Sequence, residues 1–179
     1  MHITTRKLTA AAVTGAAYAA LTMLLAPISY GAIQCRVSEV LCILPFFIPC
    51  TAWGLFAGCA IANLLSAAGI FDVVFGSLAT LLAALCTAWL GRGRGAQSWL
   101  RCVLAALMPV VFNFVLVGAV LTWSLTDAAF PHLNASFWLF GGQVALGELA
   151  VLGILGLPLM RLLPRNPKFR EIIRSYQKE

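Results

Sequence analysis

Apolar residues in this chain come in long, nearly unbroken runs, without the short alternation of a soluble strand. The runs cover residues 8–28, 37–50, 51–67, 69–90, 99–125 and 137–163. Crossing a bilayer takes roughly 20 apolar residues in a helix. The second run is shorter and holds Pro45 and Pro49. Proline donates no backbone hydrogen bond, so this segment is predicted to be tilted, kinked or re-entrant. The pattern predicts an all-α integral membrane protein. It is a single membrane domain over residues 1–179, built as a six-transmembrane-helix bundle with a tail at 164–179.

Composition agrees with lipid as the solvent. The chain is 61% hydrophobic and 10% charged, too little charge to cover a soluble surface of this length. Its net charge of +6 follows the topology. Arg6 and Lys7 precede the first run, and Arg92, Arg94 and Arg101 lie in or beside the loop before the fifth. Arg161, Arg165, Lys168, Arg170, Arg174 and Lys178 end the last run and form the tail. Six crossings put all of these on one side, which the positive-inside rule makes cytoplasmic. Both termini are then cytoplasmic, in a multi-pass protein of the plasma membrane. Five crossings would split the groups. The charge is therefore no nucleic-acid footprint, and the tail is expected to lie as a short helix on the anionic inner leaflet. The first apolar run exceeds the 7–15 residues of a secretory core and is read as retained.

No sequence motif supports catalysis. There is no phosphate-binding G-x-x-x-x-G-K-[ST], no H-E-x-x-H and no G-x-S-x-G. Gly91-Arg92-Gly93-Arg94-Gly95 reads as a flexible basic loop. The six cysteines form no C-x-x-C pair and read as buried small hydrophobes. No cofactor and no metal is expected. His132 and Asp127 are expected to be solvated in the loop before the last run.

What remains is a set of polar residues at or near membrane depth. Arg36 is the one basic residue on the sparsely charged side, in Gln34-Cys35-Arg36-Val37-Ser38-Glu39. Glu39 follows it by three residues, so one helical turn lets the two meet, as an anchoring ion pair or as a clamp on a ligand. Asp72 opens the fourth run and is read as a helix cap or a ligand group. Glu148 lies midway along the last run, where an acid is functional by default or bonds another helix. Asn63, Asn113 and Gln143 are the amides at depth, and Phe112 and Trp138 are among the aromatics near them. Together these groups suit a small planar molecule with several donors and acceptors.

Small residues recur along the first run. Ala12, Ala16 and Ala20 are spaced by four, with Ala11, Gly15 and Ala19 as a neighbouring stripe. Such spacing lets a helix approach closely, from within the protein or from a partner subunit.

Three blocks resemble the QueT family: Ala26-Pro27-Ile28-Ser29-Tyr30-Gly31-Ala32-Ile33-Gln34-Cys35-Arg36-Val37-Ser38-Glu39, then Asp72-Val73-Val74-Phe75-Gly76-Ser77, and Pro109-Val110-Val111-Phe112-Asn113. Members are substrate-binding S components of energy-coupling factor (ECF) transporters. The resemblance implies a six-helix subunit that captures a queuosine precursor or salvage product outside the cell. The implied ligand is a 7-deazaguanine such as queuine or 7-aminomethyl-7-deazaguanine. The implied partners are a transmembrane scaffold (T) subunit and two ATPase subunits, with Ala12, Ala16 and Ala20 matching the docking positions of the first helix. Three rivals stay open at this stage. They are an S component for another vitamin or tryptophan, an intramembrane enzyme using Glu148 or Asp72, and a scaffold without a ligand.

Overall fold

The structure, a computed structural model, describes residues 4–30, 35–66, 68–92, 98–126 and 135–177. Every regular element among them is helical. Thr4 caps α1 (Thr5–Leu24), its side chain accepting from the Lys7 amide at 3.5 Å. A single turn, α2 (Ala26–Ser29), follows with Pro27 in its first turn, where a missing N–H costs nothing. Next comes a 3₁₀ helix (Val37–Phe46), then α3 (Thr51–Asn63). Gly69, at φ +62°, takes the left-handed turn that leads toward α4. A π turn (Asp72–Gly76) opens α4 (Ser77–Leu90). The long α5 (Trp99–Thr126) comes next, then α6 (Ala135–Val151), which continues through a π turn (Leu152–Gly156) into α7 (Leu157–Leu162). An amphipathic α8 (Pro167–Gln177) ends the described chain.

Among the described residues, four helical stretches are long and apolar enough to cross a membrane: Thr5–Leu24, Asp72–Leu90, Trp99–Thr126 and Ala135–Arg165. The other two runs fold into shorter pieces. The run at 37–50 stops as a helix at Phe46, and the run at 51–67 stops at Asn63. The departure at 37–46 has a physical cause. Pro45 cannot donate to an α-type partner, and the tighter 3₁₀ winding rises about 2.0 Å per residue against 1.5 Å. Ten residues therefore cover much of the depth that α4 and its π turn cover in nineteen. Arg36, just before the 3₁₀ helix, meets Asp72 at the start of that stretch. Phe46, at its end, lies where a Cβ on Gly91 would strike its carbonyl.

The 3₁₀ helix is the axis of the bundle. It touches α1, α3, α4, α5 and α6, and six of its ten residues are buried. α1 and α3 run parallel beside it, Ala11 against Gly54 and Gly15 against Gly58. Tyr18 of α1 reaches Glu39, Asn63 of α3 reaches Asp72, and Thr87 of α4 reaches Ala105 of α5. Asn113 of α5 then reaches Glu148 of α6.

Glycines set the closest approaches. A Cβ on Gly15 would collide with the Gly54 carbonyl, one on Gly54 with Ala11, and one on Gly58 with Gly15. Between α5 and α6, a Cβ on Gly118 would sit 2.8 Å from Gly141 Cα. In lipid, van der Waals fit of this kind drives helix association. Ala11, Gly15 and Ala19 thus serve packing within the protein, which takes Gly15 out of the expected docking stripe. Ala12, Ala16 and Ala20 are exposed on the other face of α1.

The basic groups gather at one end. The Tyr176 hydroxyl donates to the Arg6 carbonyl at 3.3 Å, and Arg101 donates to the Arg92 carbonyl at 3.0 Å. The Arg161 guanidinium lies 4.1 Å from the Trp99 ring centroid. The tail helix is seated there too. Phe169, Ile173 and Tyr176, at helical spacing, pack on a core containing Phe46, Phe47 and Met160. Phe169 meets Phe47 edge-on at 5.5 Å. Arg36 and Asp72 lie at the opposite end of α4 from Arg92.

We expect Gly54→Ala to lower the thermal midpoint in detergent, at a cost of about 1–3 kcal/mol, because its methyl group meets backbone. Gly142→Ala, whose Cβ meets nothing within 4 Å, is the matched control and should leave the midpoint unchanged or slightly raised.

Candidate functional site

The polar residues that should be costly in lipid converge around the first turn of the 3₁₀ helix. Arg36 precedes it with extended backbone and is only 4% exposed. Its Nη2 meets Asp72 Oδ2 at 3.3 Å, and its guanidinium lies 5.4 Å from the Tyr30 ring centroid. The Tyr30 hydroxyl donates to the Ala62 carbonyl at 2.6 Å, which fixes the ring. Asp72 opens the π turn and is fully buried. Its carbonyl accepts from Asn63 Nδ2 at 2.9 Å. Gly76, one turn on, makes room for both. A Cβ there would lie 2.5 Å from Asp72 Oδ1 and 2.7 Å from Asn63 Nδ2.

Glu39 points the other way, toward α1. Tyr18 donates its hydroxyl to Oε1, and the Cys42 thiol donates to Oε2 at 3.0 Å. Beside it, Ser38 and Thr22 bond at 2.6 Å, and Thr22 also donates to the Tyr18 carbonyl at 2.8 Å. Cys59 closes the floor between three donors: Thr80 at 3.2 Å, Asn63 at 3.4 Å and Tyr18 at 3.6 Å. From the far wall, Asn113 Nδ2 donates to Glu148 Oε1. The Cys35 thiol donates to the Gly147 carbonyl at 3.9 Å, which ties this wall to the residue before Arg36.

Several buried polar atoms in this cluster have no partner. They are Arg36 Nε, Asn63 Oδ1, Asp72 Oδ1, Glu148 Oε2 and Ser29 Oγ. A buried polar atom left unpaired costs about 1–3 kcal/mol, so donors and acceptors left unpaired together mark this cluster as a candidate ligand site. The arrangement can hold a flat molecule by its hydrogen-bonding edges. Among the described residues no group of His, Cys, Asp or Glu is placed to bind a metal.

Arg36, Ser38, Glu39, Asn63, Asp72, Asn113 and Glu148 all come together as buried side chains. Three details differ from the sequence reading. Arg36 pairs with Asp72 rather than Glu39, because Arg36 precedes the helix with extended backbone and does not share a helical face with Glu39, which meets Tyr18. Asp72 makes no side-chain cap to the helix it opens. Trp138 is 59% exposed and stacks with Phe114 and Phe137, on the outer side of α6. Phe112 is half-buried against a separate core that includes Ala79 and Val117, and Gln143 is half-buried. Gln34, Asp127 and His132 lie outside the described residues. Sequence reasoning missed Tyr18, Tyr30, Thr22 and Thr80. A tyrosine in the middle of an alanine-rich span is a legible signal, since its buried hydroxyl needs a partner. No disulfide joins the cysteines, and three of the six, Cys42, Cys59 and Cys102, are buried, while Cys42 and Cys59 also bond polar neighbours.

A helical membrane protein with a buried, half-satisfied polar cluster and no catalytic motif belongs with carriers and binding subunits. The family profile described as QueT transporter matches residues 8–165, and the chain belongs to that family. It is a transporter family and not an enzyme family, which sets aside the intramembrane enzyme. No curated protein and no solved structure matches the chain.

Gly76→Ala should reduce transport at least tenfold while the protein still reaches the membrane, because its methyl displaces the Asp72 carboxylate. Uptake assays paired with membrane immunoblots check this. Arg36→Met alone strands a buried carboxylate and should cost about 3–5 kcal/mol. Adding Asp72→Leu should recover much of the melting temperature and none of the binding.

Proposed function

We propose that this protein is the substrate-capture S component of an ECF importer for a 7-deazaguanine, such as queuine or 7-aminomethyl-7-deazaguanine. One observation carries the reading. In a chain of the QueT transporter family, the buried atoms left unpaired among the described residues are one guanidinium N–H, the Ser29 hydroxyl and three carboxylate or amide oxygens. A deazaguanine presents the complement: a ring carbonyl that accepts, and an adjacent edge of ring N–H and amino groups that donates. Arg36 Nε is the donor for the carbonyl, with Asp72 Oδ1 and Asn63 Oδ1 as acceptors for the edge. The Tyr30 ring, held under Arg36, is the aromatic face nearest these groups, in place of Trp138.

The topology in this reading has six crossings. The 3₁₀ helix serves as a short one surrounded by the other helices, and α3 as a short one with Trp53 and Ile61 exposed on its outer face. The basic end, with Arg6, Arg92, Arg101, Arg161 and the tail helix, faces the cytoplasm. The end with Arg36 and Asp72 faces outward, where substrate is captured. The exposed face of Ala12, Ala16 and Ala20 docks the T subunit, and two ATPases supply the energy for release inside.

Calorimetry of the purified protein against queuine, its aminomethyl precursor, riboflavin, biotin, thiamin and tryptophan tests the ligand. We expect micromolar binding or tighter, roughly −8 kcal/mol or better, for a deazaguanine only. Heat with another vitamin and none with a deazaguanine would overturn the assignment. Ala16→Trp should abolish co-purification with the T subunit and leave ligand binding intact. A surviving complex would place docking elsewhere.

A further inference from the structure

We infer that the site selects guests carrying a protonated amine, and that Glu148 receives it. The inference rests on the 7-deazaguanine reading and goes on to which deazaguanine is held.

The charges around the site do not balance. Three carboxylates, Glu39, Asp72 and Glu148, are each at most 1% exposed. Arg36 is the one guanidinium the described residues place beside them, and it pairs with Asp72. Every other neighbour that bonds within the cluster is neutral: Tyr18 from α1, Cys42 from the 3₁₀ helix, Cys59 and Asn63 from α3, Thr80 from α4 and Asn113 from α5. Glu39 has two donors, one on each oxygen. Glu148 has one, the Asn113 amide, and its Oε2 is buried with no partner.

A carboxylate at membrane depth is costly unless it is paired with a cation. The described residues supply none to Glu148, so without a guest a proton neutralises it, and a cationic guest is the group that takes the proton's place. The heterocycle of a 7-deazaguanine is neutral, and the free atoms of Arg36, Asp72 and Asn63 match its edges. That leaves Glu148 for whatever hangs from the ring. An aminomethyl arm is cationic near neutral pH and donates to a carboxylate oxygen. A nitrile arm has no charge and no donor. Asn113 is the positioning residue, since its bond holds Oε1 and leaves Oε2 for the guest's amine.

The test compares three ligands on the wild-type protein by calorimetry: 7-aminomethyl-7-deazaguanine, 7-cyano-7-deazaguanine and thiamin. Thiamin is a heteroaromatic cation without the guanine edge and separates charge from edge recognition. We expect the amine to bind roughly 30-fold tighter than the nitrile, and thiamin not at all. Glu148→Gln should collapse the amine-to-nitrile ratio to within about threefold, and Glu148→Asp should keep most of it. Equal, tight binding of amine and nitrile to wild type would overturn the amine assignment and leave the deazaguanine reading standing. So would a ratio that survives Glu148→Gln. Binding of neither deazaguanine would overturn both, and thiamin binding would reduce the site to a cation trap. The wild-type comparison stands even if a Glu148 variant does not fold.

Discussion

The buried ion pair between Arg36 and Asp72 is the constraint around which the polar end of this bundle is arranged. It joins the residue before the 3₁₀ helix to the first residue of the π turn. A buried pair contributes little net stability, since desolvation offsets most of its attraction, but removing one partner is severe. The pair therefore acts as a lock on geometry. Tyr30 braces the guanidinium from one side, and Asn63 holds the Asp72 backbone from the other. Gly76 keeps the volume that the carboxylate occupies free of any side chain. The π turn at Asp72–Gly76 fits this role, because such turns widen a helix where a side chain must be re-aimed.

Packing elsewhere serves the same arrangement. In lipid, helices gain nothing by hiding apolar surface from water, so close fit decides their register. Gly15, Gly54 and Gly58 bring the α1 and α3 backbones into contact. That register puts Tyr18 beside both Cys59 and Glu39, and Thr22 beside Ser38. Gly118 and Gly141 do the same for α5 and α6, one to two turns from the Asn113–Glu148 bond. The polar cluster is thus held by apolar seams on both flanks.

Much of this was legible in the residues, for identifiable reasons. Long apolar runs announce helices in lipid whatever their packing, and the basic groups sort to one end because topology sorts them. Arg36, Asp72, Asn63 and Glu148 stood out because each is expensive where it lies. Pairing was harder to read. Separation by three residues suggests an Arg36–Glu39 pair, but that rule needs both residues on one helix, and Arg36 stands before the helix with extended backbone. The ends of α3 were hidden for a similar reason, since apolar sequence continues past Asn63 into the turn at Gly69. Trp138 illustrates a third limit. Aromatic residues near a membrane surface serve lipid and ligand alike, and only burial distinguishes them.

The two faces of α1 connect these observations to transport. Its inner face bonds the site directly, Tyr18 to Glu39 and Thr22 to Ser38, while Ala12, Ala16 and Ala20 lie exposed on the other side. One rigid helix thus has a ligand-facing stripe and a free, smooth stripe. In the proposed assembly, a partner seated on the smooth stripe presses on the same element that orients Glu39. A shift of α1 along the glycine seam would then be felt at the carboxylate without any contact between partner and ligand. Linkage between docking and binding then needs no dedicated pathway, only a helix whose two sides serve different molecules.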